Sequence, residues 1–142
     1  MDVLAHWVHI VFAAVALGGL LYGGLVLGPA MSALGDDDRA ALSERVATRF
    51  RPIALAALAL LLISGGYNLF RAMERGVDSA YHMAFGIKFL LALHVLGMLF
   101  IVSTPPSGDP AKDAKRPRLM IGGAISALIV FALGAYLQSL HG

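Results

Sequence analysis

The chain has 142 residues, 58% of them hydrophobic and 14% charged, with a formal net charge of +2 and no cysteine. A soluble domain of this length carries roughly twice that charged fraction, and the apolar residues run in long blocks, so the composition specifies a single membrane domain over residues 1–142. The missing thiols exclude disulfides, iron–sulfur ligation, thiolate metal sites and cysteine nucleophiles. No basic stripe with interleaved aromatics is present, which argues against a nucleic-acid partner.

Crossing about 30 Å of hydrocarbon takes roughly 20 helical residues. The first candidate span covers residues 3–27 and stops at "GPAM", where Pro29 discourages continuation. Only Asp2 separates it from the first residue, so it lacks the basic start of a signal peptide and is expected to be retained. The next stretch, "GDDDRAALSERVATRFR", places Leu42, Val46 and Phe50 at helical spacing behind Asp36 to Asp38 as N-terminal caps. It predicts a short amphipathic helix along the interface. The second span, 52–70, opens on Pro52, a favourable first-turn residue. The third covers 81–102, and the proline-rich "PPSGDPAKDAKRPR" after it reads as an irregular, mobile loop. The fourth covers 119–140. Four strands cannot close a barrel, so the expected fold is all-α: four transmembrane helices and one interfacial helix.

Basic residues near span ends set the orientation. Loop one holds Arg39, Arg45, Arg49 and Arg51, and loop three holds Lys112, Lys115, Arg116 and Arg118, against Arg71 and Arg75 in loop two. Loops one and three are therefore expected in the cytoplasm and both termini outside, in a plasma (inner) membrane. Gly19 with Gly23 and Gly24 with Gly28 form two GxxxG pairs, and Gly65, Gly66, Gly122 and Gly123 add further small residues. They predict close helix contacts, room for a bulky planar ligand, or a homodimer face.

Polar side chains gather towards the outer ends of the spans. His6 and His9 lie about 60° apart on one helix, and Ala13 and Ala16 leave a groove beside His9. Tyr81, His82 and Lys88 open the third span, Tyr67 and Asn68 close the second, and Tyr136, Gln138 and His141 close the fourth. His94 alone sits deep, and ionisable groups at that depth usually face the bundle interior or water. Histidine is the commonest axial ligand of haem, so His9 paired with His94, or with His82 as rival, suits a b-type haem between helices. Arg71, Lys88 or His82 would meet its propionates. Copper is the alternative, using His6, His9 and His82 with Met83 or Met98. A structural subunit whose polar residues tie helices together is the third reading. No carboxylate lies within a span, and no P-loop, dinucleotide fingerprint or HExxH is present.

The stretches "HWVHIVFAAVALGGLLYGG", "RFRPIALAALALLLISGG" and "GIKFLLALHVLGML" together resemble the first three spans of two related groups of small four-helix membrane proteins. One is the membrane part of copper-resistance protein D, and the other is the haem-binding protoporphyrinogen oxidase of the HemJ type. The resemblance implies haem held by His9, a functional Lys88, an arginine before the second span at Arg49 or Arg51, and an oxidoreductase acting on a porphyrin; the haem reading itself adds electron exchange with a membrane pool, expected to be quinone.

Overall fold

The computed structural model describes residues 2–74 and 79–139, with the side chains at 2, 72, 79–82, 84 and 138 outside the description. Every regular element among the described residues is helical. In chain order these are α1 (Asp2–Tyr22), a π turn (Gly23–Leu27), α2 (Gly28–Ser32), α3 (Asp36–Glu74), α4 (Ser79–Ser103), α5 (Pro110–Asp113) and α6 (Arg116–Ser139). Four stretches, Val3–Ser32, Asp36–Arg71, Phe85–Ser103 and Pro110–Leu137, are long and apolar enough to cross a membrane. The chain is a multi-pass membrane protein built as an all-α four-helix bundle.

Helix boundaries differ from expectation at both early prolines. The first span does not stop before Pro29 but runs on through the π turn, where Gly28 N–H bonds to Gly23 O. The wider turn absorbs the missing N–H and the bulk of the proline ring that follows. Nor is there a separate interfacial helix: α3 runs unbroken for 39 residues, about 58 Å, with Pro52 inside it. Ala47, Phe50, Ala54 and Ala57 explain this, because they form one inward stripe on both sides of the proline. Burial of that continuous stripe outweighs the one backbone bond that Pro52 cannot donate.

The link between α4 and α6 was expected to be irregular, yet it is organised by side chains. Asp109 caps the single turn of α5 by accepting from Ala111 N–H at 3.0 Å. Asp113 accepts from the backbone N–H groups of Ser107 and Gly108 at 3.0 and 3.1 Å. Arg116 donates to the carbonyls of Thr104 and Pro105 at 2.6 and 3.1 Å, closing the C-terminal end of α4. Arg39 does the same for α2, donating to Met31, Ser32 and Leu34 carbonyls at 2.8–3.2 Å.

α1 packs chiefly on α3, and α4 on α6. The two central clusters of the buried core are formed by Ala16 and Leu20 from α1, Ala54 and Ala57 from α3, Val95, Leu99 and Val102 from α4, and Ala124 and Ala127 from α6. Alanines at five of these nine positions let the helices approach closely. The glycine pairs of the first span serve the same packing. A Cβ on Gly19 would lie 2.7 Å from Phe50 Cζ, and one on Gly24 would lie 2.7 Å from Ile121 Cγ1 and 3.1 Å from the Pro117 carbonyl. Gly18, one residue from Gly19, has nothing within 4 Å. Gly24→Val should therefore destabilise the bundle by about 1–3 kcal/mol through overpacking, and Gly18→Val should be near neutral. Thermal unfolding of the two variants in the same detergent checks the contrast.

Candidate functional site

Above this core, at the end of the bundle where α1 and α4 begin and α3 and α6 finish, the helices part around a cavity of about 950 Å³. Its size lies within the range of small-molecule and cofactor sites, roughly 300–1,000 Å³. The floor is set by Ala16 and Ala127, which also belong to the core, so the cavity begins where close packing ends. Its walls are mostly apolar and include the rings of Phe85, Phe89 and Phe131. Phe85 and Phe89, one turn apart on α4, stack with centroids 6.4 Å apart. Five polar side chains line this apolar shell: His6 and His9 from α1, Lys88 from α4, and Asn68 and Arg71 from α3.

His9 is the best defined of them. Its Nδ1 lies 3.0 Å from Ser64 Oγ on α3, and that hydroxyl lies 2.5 Å from the Leu60 carbonyl one turn earlier. A serine hydroxyl has one proton, and the carbonyl can only accept, so the proton goes to Leu60 O. Ser64 Oγ must then accept from His9, which fixes the neutral imidazole as the Nδ1–H tautomer with its lone pair on Nε2. Nε2 has no hydrogen-bond partner among the described residues. The ring is seated against Gly65, where a Cβ would lie 3.4 Å from His9 Cε1. One α3 turn, "SGG", thus supplies both the anchor and the space for the imidazole.

Lys88 faces the cavity from the opposite wall. A Cβ on Gly134 of α6 would lie 3.3 Å from its Nζ, so a glycine again makes room for the polar group. The ammonium makes no hydrogen bond or ion pair with the described residues. Arg71 is paired with Glu74 at 2.8 Å near the mouth, and His6 is exposed there.

The fold thus brings together His6, His9 and Lys88, with Ala13 and Ala16 forming the groove expected beside His9. It does not bring His94 to them. On α4 the six-residue separation of Lys88 and His94 turns the two side chains about 120° apart. Val95 and Leu96 line the cavity, and His94 is exposed on the outer face. The expected axial pair of His9 and His94 is therefore not assembled within one bundle. Arg51 is also apart: it is exposed on α3, ten residues, or about 15 Å, before the first cavity residue of that helix. The His82 side chain and His141 lie outside the described residues. Met83 is 70% exposed, and Met98 packs where a Cβ of Gly123 would lie. Among the described residues no three His, Cys, Asp or Glu side chains come together.

Ser64 is the site residue that sequence reasoning did not assign. Its partner is 55 positions away, and a serine that bonds back to its own helix leaves no pattern in the chain. The chain matches no protein-family model, no curated protein and no solved structure.

The bonding order fixes a spectroscopic expectation. Histidine ¹⁵N spectra of the neutral protein should show His9 as the Nδ1–H tautomer. Ser64→Ala should remove that preference and cost about 1 kcal/mol of stability, the worth of a partly buried hydrogen bond.

Proposed function

We propose that this chain is a b-type haem protein of the plasma membrane with a redox role, in which His9 Nε2 is an axial ligand. The observation that carries the reading is the pairing of His9 Nδ1–H with Ser64. It holds the imidazole in one tautomer with the ligating nitrogen left open beside an apolar cavity, the outer-shell arrangement metal-bound histidines use. The cavity also fits a large planar acid. Its aromatic and aliphatic walls suit a macrocycle, Lys88 supplies a cation with no hydrogen-bond or ion-pair partner among the described residues, and His6 and Arg71 stand near the mouth. A cation in hydrocarbon is expensive, so the Lys88 ammonium favours a carboxylate guest over an apolar one. When bound, haem b supplies one-electron chemistry at an iron tuned by its axial ligand and by the dryness of the site.

In this reading the residues divide the work by depth. His9 and Ser64 fix the ligand nitrogen, the phenylalanines exclude water, and Lys88 with Arg71 and His6 neutralises acidic groups near the mouth. The excess of basic residues in loops one and three supports a mouth on the outer side of the membrane, away from the cytoplasm. Lipid-soluble substrates such as a quinone or a porphyrin would reach it from the bilayer. Copper handling is less well supported, because neither Met83 nor Met98 lines the cavity with His6 and His9.

The absorption spectrum of detergent-purified protein, expressed with ample haem supply, tests the reading. A Soret band should appear, with sharp α and β bands on reduction. His9→Ala should lose most of the pigment, His94→Leu should keep it, and Lys88→Met should weaken haem retention roughly tenfold, the worth of one hydrogen bond to a charged group. Colourless but folded protein, or equal pigment in the His9→Ala variant, would contradict the assignment.

A further inference from the structure

Along α4 the residues Met83, Ile87, Leu90, His94, Gly97 and Ile101 follow one another at alternating steps of four and three. All six are exposed, Met83 and Leu90 to 70% and 68%. A mean step of 3.5 residues is the seam of two helices crossing at a small left-handed angle. Five of the six positions are apolar or glycine and need no partner in lipid. His94 does.

On the third span as read from the sequence, residues 81–102, it lies thirteen residues from one end and eight from the other, about 20 and 12 Å. That is well inside a hydrocarbon layer about 30 Å thick, too deep for an imidazole to reach either surface. A neutral imidazole carries one N–H donor and one acceptor nitrogen, and lipid offers neither of them a partner. His94 makes no hydrogen bond or ion pair with the described residues. The fold of one copy is thus complete around its core while a polar group stands at depth on its outer face.

We infer that this face is closed by a second copy of the chain, α4 against α4, about a twofold axis along the membrane normal. Two copies inserted in the same sense run parallel, so each seam residue meets its own counterpart at equal depth. His94 then faces His94, one ring donating its N–H and the other accepting. A different partner would have to carry a polar group at this depth, whereas a second copy carries one by construction. Gly97 is the next seam position, and nothing lies within 4 Å of where its Cβ would be, which leaves the two backbones free to approach beside the histidine pair. One polar residue at the centre of an apolar seam is also the known device for fixing register and copy number. The inference is independent of what the cavity holds.

Because the chain has no cysteine, single-cysteine variants report the contact directly in native membranes. Oxidation of Leu90→Cys and Ile101→Cys should give an adduct of twice the chain mass, and Leu128→Cys on the exposed face of α6 should give at most a tenth as much. In the Leu90→Cys background, His94→Leu should weaken association roughly tenfold at high lipid dilution. His94→Asn should restore it, since an amide both donates and accepts. Unchanged helical circular dichroism separates lost association from lost folding. The inference is overturned if no doubled adduct forms, if Leu128→Cys cross-links equally, if the adduct mass is that of another protein, or if His94→Leu associates like the parent.

Discussion

Hydrocarbon gives a polar group nothing to bond to, and the placement of the polar side chains in this bundle follows from that constraint. Ser103 and Ser64 return their hydroxyl protons to carbonyls of their own helices, at 2.8 and 2.5 Å. With its own proton committed, Ser64 can only accept, and what it accepts is His9 Nδ1–H. A local solution to one buried hydroxyl thereby determines which nitrogen of a histidine on another helix is left open. Lys88 and His94 have no such partner among the described residues. One is turned into a cavity and the other out of the bundle, and each orientation is the basis of a functional reading.

The same economy governs the opposite end. There Arg39 and Arg116 donate to carbonyls left over where α2 and α4 end. These are guanidinium C-caps, and they suit the negative end of a helix dipole. They make the connections between spans part of the folded unit, so that the loop from α4 to α6 is held by Asp109, Asp113 and Arg116 despite its lack of periodicity.

How far the chain could be read in advance varied with the physical question. The all-helical fold and the number of membrane-spanning helices were legible, because length and hydropathy alone decide whether a helix can span lipid. The ends were not. Pro29 and Pro52 both read as boundaries, and both lie within continuous helix, because a π turn relieves the first and a buried stripe from Ala47 to Ala57 overrides the second. The groove beside His9 was legible in Ala13 and Ala16, which share its face by helical spacing. The inward face of α4 was not, because Lys88 and His94 lie on different sides of an otherwise apolar helix and give no sign of which side meets the bundle. His94 was assigned to the interior by depth, and only the packing of Val95 and Leu99 reveals that it points the other way. Ser64 was invisible for a different reason, since its role depends on a contact between two distant helices.

The central claim is that His9 Nε2 is the nitrogen offered to a porphyrin-bound metal in the cavity. It is tested most directly by histidine ¹⁵N spectra of the uniformly labelled protein, recorded before and after one equivalent of diamagnetic gallium protoporphyrin. The account predicts that the His9 Nε2 resonance shifts, that its Nδ1 stays protonated against Ser64, and that His94 is unmoved. A shift at His94 with His9 unchanged, or no shift at any histidine, would contradict it.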